Sequence, residues 1–432
     1  GFVVGSSGIF NVGSLSLIAP TRSDMDDLFM WTGEIDGTKL NKLMDFDFNT
    51  SDNGAITFDG KVNAIRGVGI IGSEVDIGKT AEITANKNLD ITDTLVNTAS
   101  TEVGIAAVEN GKVVIKSILS PDADESSADS IVNIAGKVKA NGADVDVLSY
   151  SNVGGKDAII NINDGADISG RTINMQAFNE VDATSRSVGL GLNLDDYNLG
   201  FLSTDVFSAK QPKANAQLTI HSGSSITALK DLNLEAKTKL NAGETVYSPV
   251  VAIYIGEAVA DTGVTVNSGA TLSAAENINI SASSENTMDS TPKASSLGKI
   301  GSIVVTISSI KNTTSAIVNS GAVTKAKNLS VKAESKNEIK ASTSNKVLPI
   351  GDSNNGNFGV SVVVADVEST TIAKVNNNST LTGDLNVNAK TTTTAQTSTE
   401  AAAGGKGDDK DNKVVGWLKS TIGPAALVSN HS

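Results

Sequence analysis

Cysteine is absent from the 432 residues, which excludes disulfide staples and thiolate metal sites. Aromatic residues make up 4% of the chain and prolines number seven, too few rings to fill a wide core. Only four arginines occur, Arg22, Arg66, Arg171 and Arg186, and they are scattered without an acidic cluster beside them in sequence. The formal net charge is -14, with no basic run carrying interleaved aromatics, so nucleic acid is excluded as a partner. The longest apolar stretch, residues 249–260, carries Glu257 and is too short for a membrane helix, so the chain is expected not to span a membrane. The sequence opens in mid-strand without Met and is expected to be an internal fragment of something longer. Lack of cysteine suits an exported protein.

One pattern returns four times: AQLTIHSGSSITALKDLNLEA from Ala216, TGVTVNSGATLSAAENINISA from Thr262, SAIVNSGAVTKAKNLSVKA from Ser315 and TIAKVNNNSTLTGDLNVNA from Thr371. Each copy is an alternating apolar strand, a Ser-Gly or Asn-Asn corner, a short strand, a second corner and another strand. In Leu218-Thr219-Ile220 and Val264-Thr265-Val266 the alternation sends apolar side chains to one face and threonine to the other. Glycine at Gly165, Gly223, Gly269 and Gly321, and Asn378 after them, supplies the left-handed backbone of a corner. The corners recur every 46 to 58 residues, too short a period for tandem immunoglobulin-like domains.

These features predict an all-β chain, a right-handed parallel β-helix (β-solenoid) with short helical excursions. Apolar segments at 188–194, 250–255, 303–307 and 360–365 lie upstream of the corners and are read as additional strands. Each module is thus expected to make two turns, giving 16 to 18 turns over roughly 80 Å. The repeat array is assigned to residues 51–390, with full modules from 158 onward and shorter single-turn copies from 54 and 130. Residues 22–50 are read as a helical excursion, with Ser23 as N-cap, Met25, Leu28 and Phe29 on one face, and Leu40, Leu43 and Met44 in a second short helix. Residues 391–413 are read as a flexible low-complexity segment, and 414–432 as a short helix carrying Val415, Leu418 and Ile422 or a further partial module. Segments 195–213, 285–299 and 336–357 are read as long loops decorating the array.

No catalytic, cofactor-binding or metal-ligating residue is assigned, and no cofactor is expected. Glycoside hydrolysis needs two carboxylates facing each other across the bond, and lyase chemistry needs a base beside acidic ligands for calcium. The pairs Asp144 and Asp146, Asp164 and Asp167, and Asp195 and Asp196 supply acids, but at spacings equally natural for solvated corners. His221 sits in a corner and His431 near the end, neither beside a nucleophile motif. The run Asp408-Asp409-Lys410-Asp411 lacks the glycine-rich nonapeptide of calcium-binding repeats.

The opening GFVVGSSGIFNVGSLSLIAPT, residues 1–21, resembles the closing turns of the secretion domain of two-partner-secreted (type V) filamentous haemagglutinins. MDDLF at 25–29 and GKVNAIRGVGI at 60–70 are similar to leukotoxin-type filamentous adhesins, and the later modules resemble the repetitive stalk of those proteins. The Asn-Pro-Asn-type motifs of the secretion domain do not occur in this stretch. The resemblance implies a secreted or bacterial cell-surface virulence protein that is not an enzyme. It implies export through an outer-membrane partner barrel and attachment to a host-cell surface or matrix component, with cytotoxicity in some members. A polysaccharide lyase or glycoside hydrolase on the same scaffold is the alternative that the residues leave open.

Overall fold

The computed structural model describes residues 2–19, 54–85, 112–119, 129–188, 206–297, 302–348, 359–402 and 425–431. Among these residues there are 28 strands and no helix. They form two sheets, of 11 and 17 strands, in which every pairing is parallel.

One module shows how the chain moves between the sheets. Val251–Val266 lies in the smaller sheet and ends at a corner where Gly269 has φ 81°, the left-handed conformation expected of it. The four-residue strand Thr271–Ala274 and the long strand Asn277–Ser290 follow in the larger sheet, then Lys293–Leu297. The chain returns to the smaller sheet as Ser302–Val318, in register beside Val251–Val266, with Val251 against Ile303 and Val266 against Val318. Gly165, Gly223 and Gly321 adopt the same conformation at equivalent corners, and successive corners are joined by Gly223 N–H to Gly269 O and Gly269 N–H to Gly321 O. Asn378 is not a corner residue: it opens the strand Asn378–Leu381, opposite Val323.

Each module therefore climbs one inter-strand spacing, not two. The bond from Asn319 to Asn267 spans 52 residues in sequence and a single step in space. The segments at 250–255 and 303–307 are largely the leading halves of 16- and 17-residue strands rather than strands of their own. Ten strands follow one another along the smaller sheet, so the described stack is roughly 43 Å tall at ~4.8 Å per step, about half the expected length and correspondingly broader. The early copies are narrower, since Ala55–Phe58, Lys61–Gly72 and Glu74–Ile77 complete a level within two dozen residues.

Stacking turns alternation into columns. Phe58, Ile77, Ile134, Ile162, Ile220, Val266 and Val318 follow one another through the interior at successive levels, all essentially inaccessible. Outside, Asp146, Asn174, Asn233 and Asn279 form a ladder whose amides each donate to the level before at 2.8 Å. Beside it Glu180, Lys239, Glu285 and Lys336 alternate in charge, with Lys239–Glu180 and Lys336–Glu285 at 2.6 Å. A two-residue slip of the last pair would place Glu285 opposite Glu334 or Glu338, so the ladder favours the observed pairing there.

The interior is not uniformly apolar. A main aliphatic cluster fills the space behind the corners, and a second, including Leu240, Met288, Ile310, Ile339 and Val363, lies further along the long strands. Between them runs a buried seam of hydroxyls and amides. It contains Thr238–Thr262 at 2.6 Å, Ser284–Thr314 at 2.8 Å, Asn312 to Ser284 at 2.8 Å and Asn286 to Asn337 at 2.9 Å. Such groups are tolerated in a dry interior because they bond one another.

This seam explains several departures from the sequence reading. Residues 285–299 and 336–357, read as loops, are strand over Glu285–Ser290, Lys293–Leu297 and Lys336–Leu348, and Val206–Lys210 is strand within 195–213. The segment read as flexible over 391–413 is strand through Ala402, paired with Asn328–Leu348. In Glu285–Ser290 and Lys336–Leu348 small polar residues such as Asn286, Ser290, Asn337 and Asn345 are buried between the sheets, where the sequence pattern alone resembles a linker. Ala425–His431 is a strand beside the one beginning at Gly359, so that part of 414–432 is a further partial module and not helical. The predicted helical excursion at 22–50, the helix face of Val415, Leu418 and Ile422, and residues 403–413 lie outside the described residues.

Candidate ligand groove

The broad half of the larger sheet is interrupted where Pro292, lacking an N–H, separates Asn277–Ser290 from Lys293–Leu297. On the preceding level Gly243 has φ 135°, and a Cβ there would lie 1.8 Å from the backbone oxygen of Asp289. The register of Asp231–Ser248 against its successor is lost between Ala242 and Tyr247 and then resumes. A groove of about 780 Å³ lies beside this interruption on the outer face, running across four levels.

Its lining is polar. Tyr247 and Pro249 come from the first level, Thr291, Lys293 and Ser295 from the second, Ser342, Ser344 and Lys346 from the third, and Ser398 and Glu400 from the fourth. Ser342 donates to Thr291 Oγ1 at 3.1 Å, and Ser344 donates to Glu400 Oε2 at 2.8 Å. The Arg186 guanidinium lies 4.7 Å from the Tyr247 ring centre and the Lys293 ammonium 5.5 Å, so cation–π contacts hold this ring between neighbouring levels. Thr343, also part of the lining, is buried with a hydroxyl that has no hydrogen-bond partner. Hydroxyl and ammonium donors with one carboxylate acceptor suit non-covalent capture of a polar ligand. Glu400 is the one acid among the described lining residues, so the groove lacks the facing carboxylate pair of glycoside hydrolysis.

Inward from the same strand, Glu244 is fully buried, bonded by Ser208 and paired with Lys210 at 3.5 Å. Tyr254 packs nearby in the cluster of Val246, Ala252, Ala294 and Val304, its ring occupying the space left by the missing side chain of Gly256. Burial, reinforced by the charge of Glu244 and only partly offset by the Ser290 hydroxyl, pushes the Tyr254 pKa up to about 12.

The sequence-level acids fall elsewhere. Asp144 receives Arg171 through two bonds of 2.9 Å and the Thr172 N–H at 3.2 Å, while Lys112 lies 3.9 Å from Asp144 and 3.5 Å from Asp146. Arg171 therefore has one acid beside it, Asp144, brought to the same corner from 27 residues away. The Arg171 hydrogen bonds hold the Asp144 carboxyl below its usual pKa. Asp164 and Asp167 do not act on a common centre: Lys79 lies 4.0 Å from the first and Lys139 3.4 Å from the second. His221 contributes its backbone to a corner, its N–H bonding Ile162 O and its carbonyl accepting from Ser224, and His431 lies in the last strand. Asp195, Asp196 and Asp408–Asp411 lie outside the described residues. No group of His, Cys, Asp or Glu able to hold a metal ion occurs among the described residues, nor any helix long and apolar enough to cross a membrane.

Sequence reasoning passed over the groove because its residues are serines, threonines and lysines drawn from four modules. The available signal was the match between Lys293-x-Ser295 and Ser344-x-Lys346, which the register places side by side. No family model, curated protein or solved structure matches the chain.

Proposed function

We propose that this chain is the right-handed β-helical stalk of a secreted or cell-surface filamentous adhesin of the two-partner-secretion class, and that it attaches to a polar host-cell or matrix component through the groove at Tyr247, Lys293, Ser344 and Glu400. The observation that carries the reading is a polar groove spanning four rigid levels, equipped to bond a ligand but with a single acid. The parallel stack supports the β-helical reading, because parallel crossovers within one sheet are right-handed in nearly all proteins. Export through an outer-membrane partner barrel, and any leukotoxin-like activity, rest on the resemblance of residues 1–70 alone.

A polysaccharide lyase or hydrolase is the second reading, favoured by the corner where Asp144, Asp146, Arg171 and Lys112 meet. Against it, the described partners already engage both carboxylates. The test is binding of the purified chain to host cells and immobilised matrix components, run beside polysaccharide-cleavage assays. Ser344→Trp, which fills the groove from an outward position, is expected to abolish attachment without altering the far-ultraviolet circular dichroism. Attachment undiminished in Ser344→Trp would remove the groove from the proposal, and glycan turnover lost in Asp146→Asn would replace the adhesin by the enzyme.

A further inference from the structure

The outward side chains of the groove fall into three rows that run from level to level. Register places Tyr247 beside Lys293, Lys293 beside Ser344 and Ser344 beside Glu400 in the central row. On one side of it Ser295 faces Lys346, and on the other Thr291, Ser342 and Ser398 make a row of hydroxyls. Lys346 is thus one level on from Lys293 and two residues further along, roughly 8 Å away at ~4.8 Å per level and ~3.3 Å per residue. Arg186, outside the lining, sits one level before Tyr247.

The charges of this grid are unbalanced. Nearer the corners, lysines of the same strands meet acids: Lys336 meets Glu285, Lys340 meets Glu338 and Lys390 meets Glu334. Among the described residues no carboxylate pairs with Lys293, Lys346 or Arg186, and two of these cations turn instead to the Tyr247 ring. A ring quadrupole fixes the position of a cation without neutralising it. The single acid stands at the far end, on the last level, where Ser344 bonds one oxygen of Glu400. Positive charge therefore occupies the earlier levels of the groove and an acceptor the final one.

We infer that the ligand of the groove is an acidic glycan, whose carboxylate or sulfate groups lie over Lys293 and Lys346 and whose hydroxyls bond the serine rows and Glu400. The inference rests on the groove being the attachment site. Paired ammonium groups select an anion, and rows of hydroxyls, each able to donate and accept, match a chain that carries hydroxyls along its length. An acidic peptide fits less well. The backbone groups of these strands are engaged by the levels on either side, which leaves no edge for a peptide strand to join, and the Tyr247 ring is flanked by cations from both neighbouring levels. The net charge of -14 disfavours non-specific adsorption of a polyanion, so binding reports this local site.

Isothermal titration calorimetry of the full chain with polygalacturonate, dextran sulfate and unmodified dextran tests the inference. One or both of the charged polymers are expected to bind, the pair telling carboxylate from sulfate, with dextran at least about tenfold weaker. Lys293→Gln and Lys346→Gln are each expected to weaken that binding about tenfold at unchanged circular dichroism. Lys332→Gln, at an exposed position of the same strand as Lys346 but outside the groove, should leave it unchanged. Glu400→Gln keeps an oxygen acceptor and removes a like charge, so it should not weaken binding. Equal affinity for dextran or for poly-glutamate, equal loss in Lys332→Gln, or weakening in Glu400→Gln overturns the inference. If Ser344→Trp abolishes attachment to host cells yet neither charged polymer binds, the groove stands as the attachment site and the acidic glycan alone is refuted.

Discussion

Three glycines separate the causes by which a side chain can be excluded from this stack, and Gly243 is the most demanding. Its φ of 135° lies where L-residues are strained, and an added Cβ would sit 1.8 Å from Asp289 O and 2.6 Å from Asp289 C, both backbone atoms paired into the next level. Relief requires moving one strand by more than an ångström, so Gly243→Ala is expected to cost at least about 4 kcal/mol, strain and lost pairing together. Gly155 has φ 76° but no atom within 4 Å of the added Cβ, so Gly155→Ala carries only the left-handed penalty of roughly 1–2 kcal/mol, partly offset by a less flexible unfolded chain. Gly263 lacks a positive φ, and its Cβ would meet the Gln217 amide at 2.3 Å, a flexible tip that swings away and gives up its 3.0 Å bond to Asn215. Gly263→Ala is therefore expected within about 1 kcal/mol of wild type. Stacked arrays unfold in parts, so urea titration should be joined to hydrogen–deuterium exchange of peptides covering 240–250 and 286–297. If Gly243→Ala proves no more damaging than Gly155→Ala, the close approach of Gly243 to Asp289 is not built as described.

Tyr254→Phe removes a buried hydroxyl whose one polar contact is with Ser290, and is expected to change stability by no more than about 1 kcal/mol, measured by urea midpoint. The folded chain keeps this phenol protonated to about 12 while the unfolded chain releases the proton near 10.0, so stability falls as pH rises between those values, by about 2–3 kcal/mol. Tyr254→Phe should flatten that alkaline loss. Asp144 behaves oppositely: its lowered pKa gives stability present above the ordinary carboxylate range and lost as pH falls through the folded value. Asp144→Asn is expected to destabilise the chain at pH 7 and to match wild type in strong acid, and an equal difference at both extremes would refute the role given to Arg171.

Corners and columns were legible because they depend on residues with few alternatives. Only glycine accommodates φ near 80° freely at Gly223 and Gly269, and alternation through Leu218, Ile220, Val264 and Val266 has one inward solution. Width was not legible. Ser284, Asn286, Ser335 and Asn337 face inward in a seam that exists only once two sheets are in place, so the pattern resembles solvated loop until partners 23 to 51 residues away are known. The groove was hidden for the same reason. Asp144 and Arg171 were each noticed, but nothing in one dimension says that two corners 27 residues apart stack.

A module that consumes about fifty residues for one ~4.8 Å step gives an elongated cross-section, longer along the strands than between the sheets. The bending resistance of a beam rises with the cube of its depth in the bending plane, so this stack behaves as a plank: compliant when flexed across its faces and stiff when flexed edgewise. Under tension along the stack, load falls on the inter-level hydrogen bonds of strands 14 to 21 residues long acting in parallel, which makes breadth, rather than height, the quantity that sets its strength.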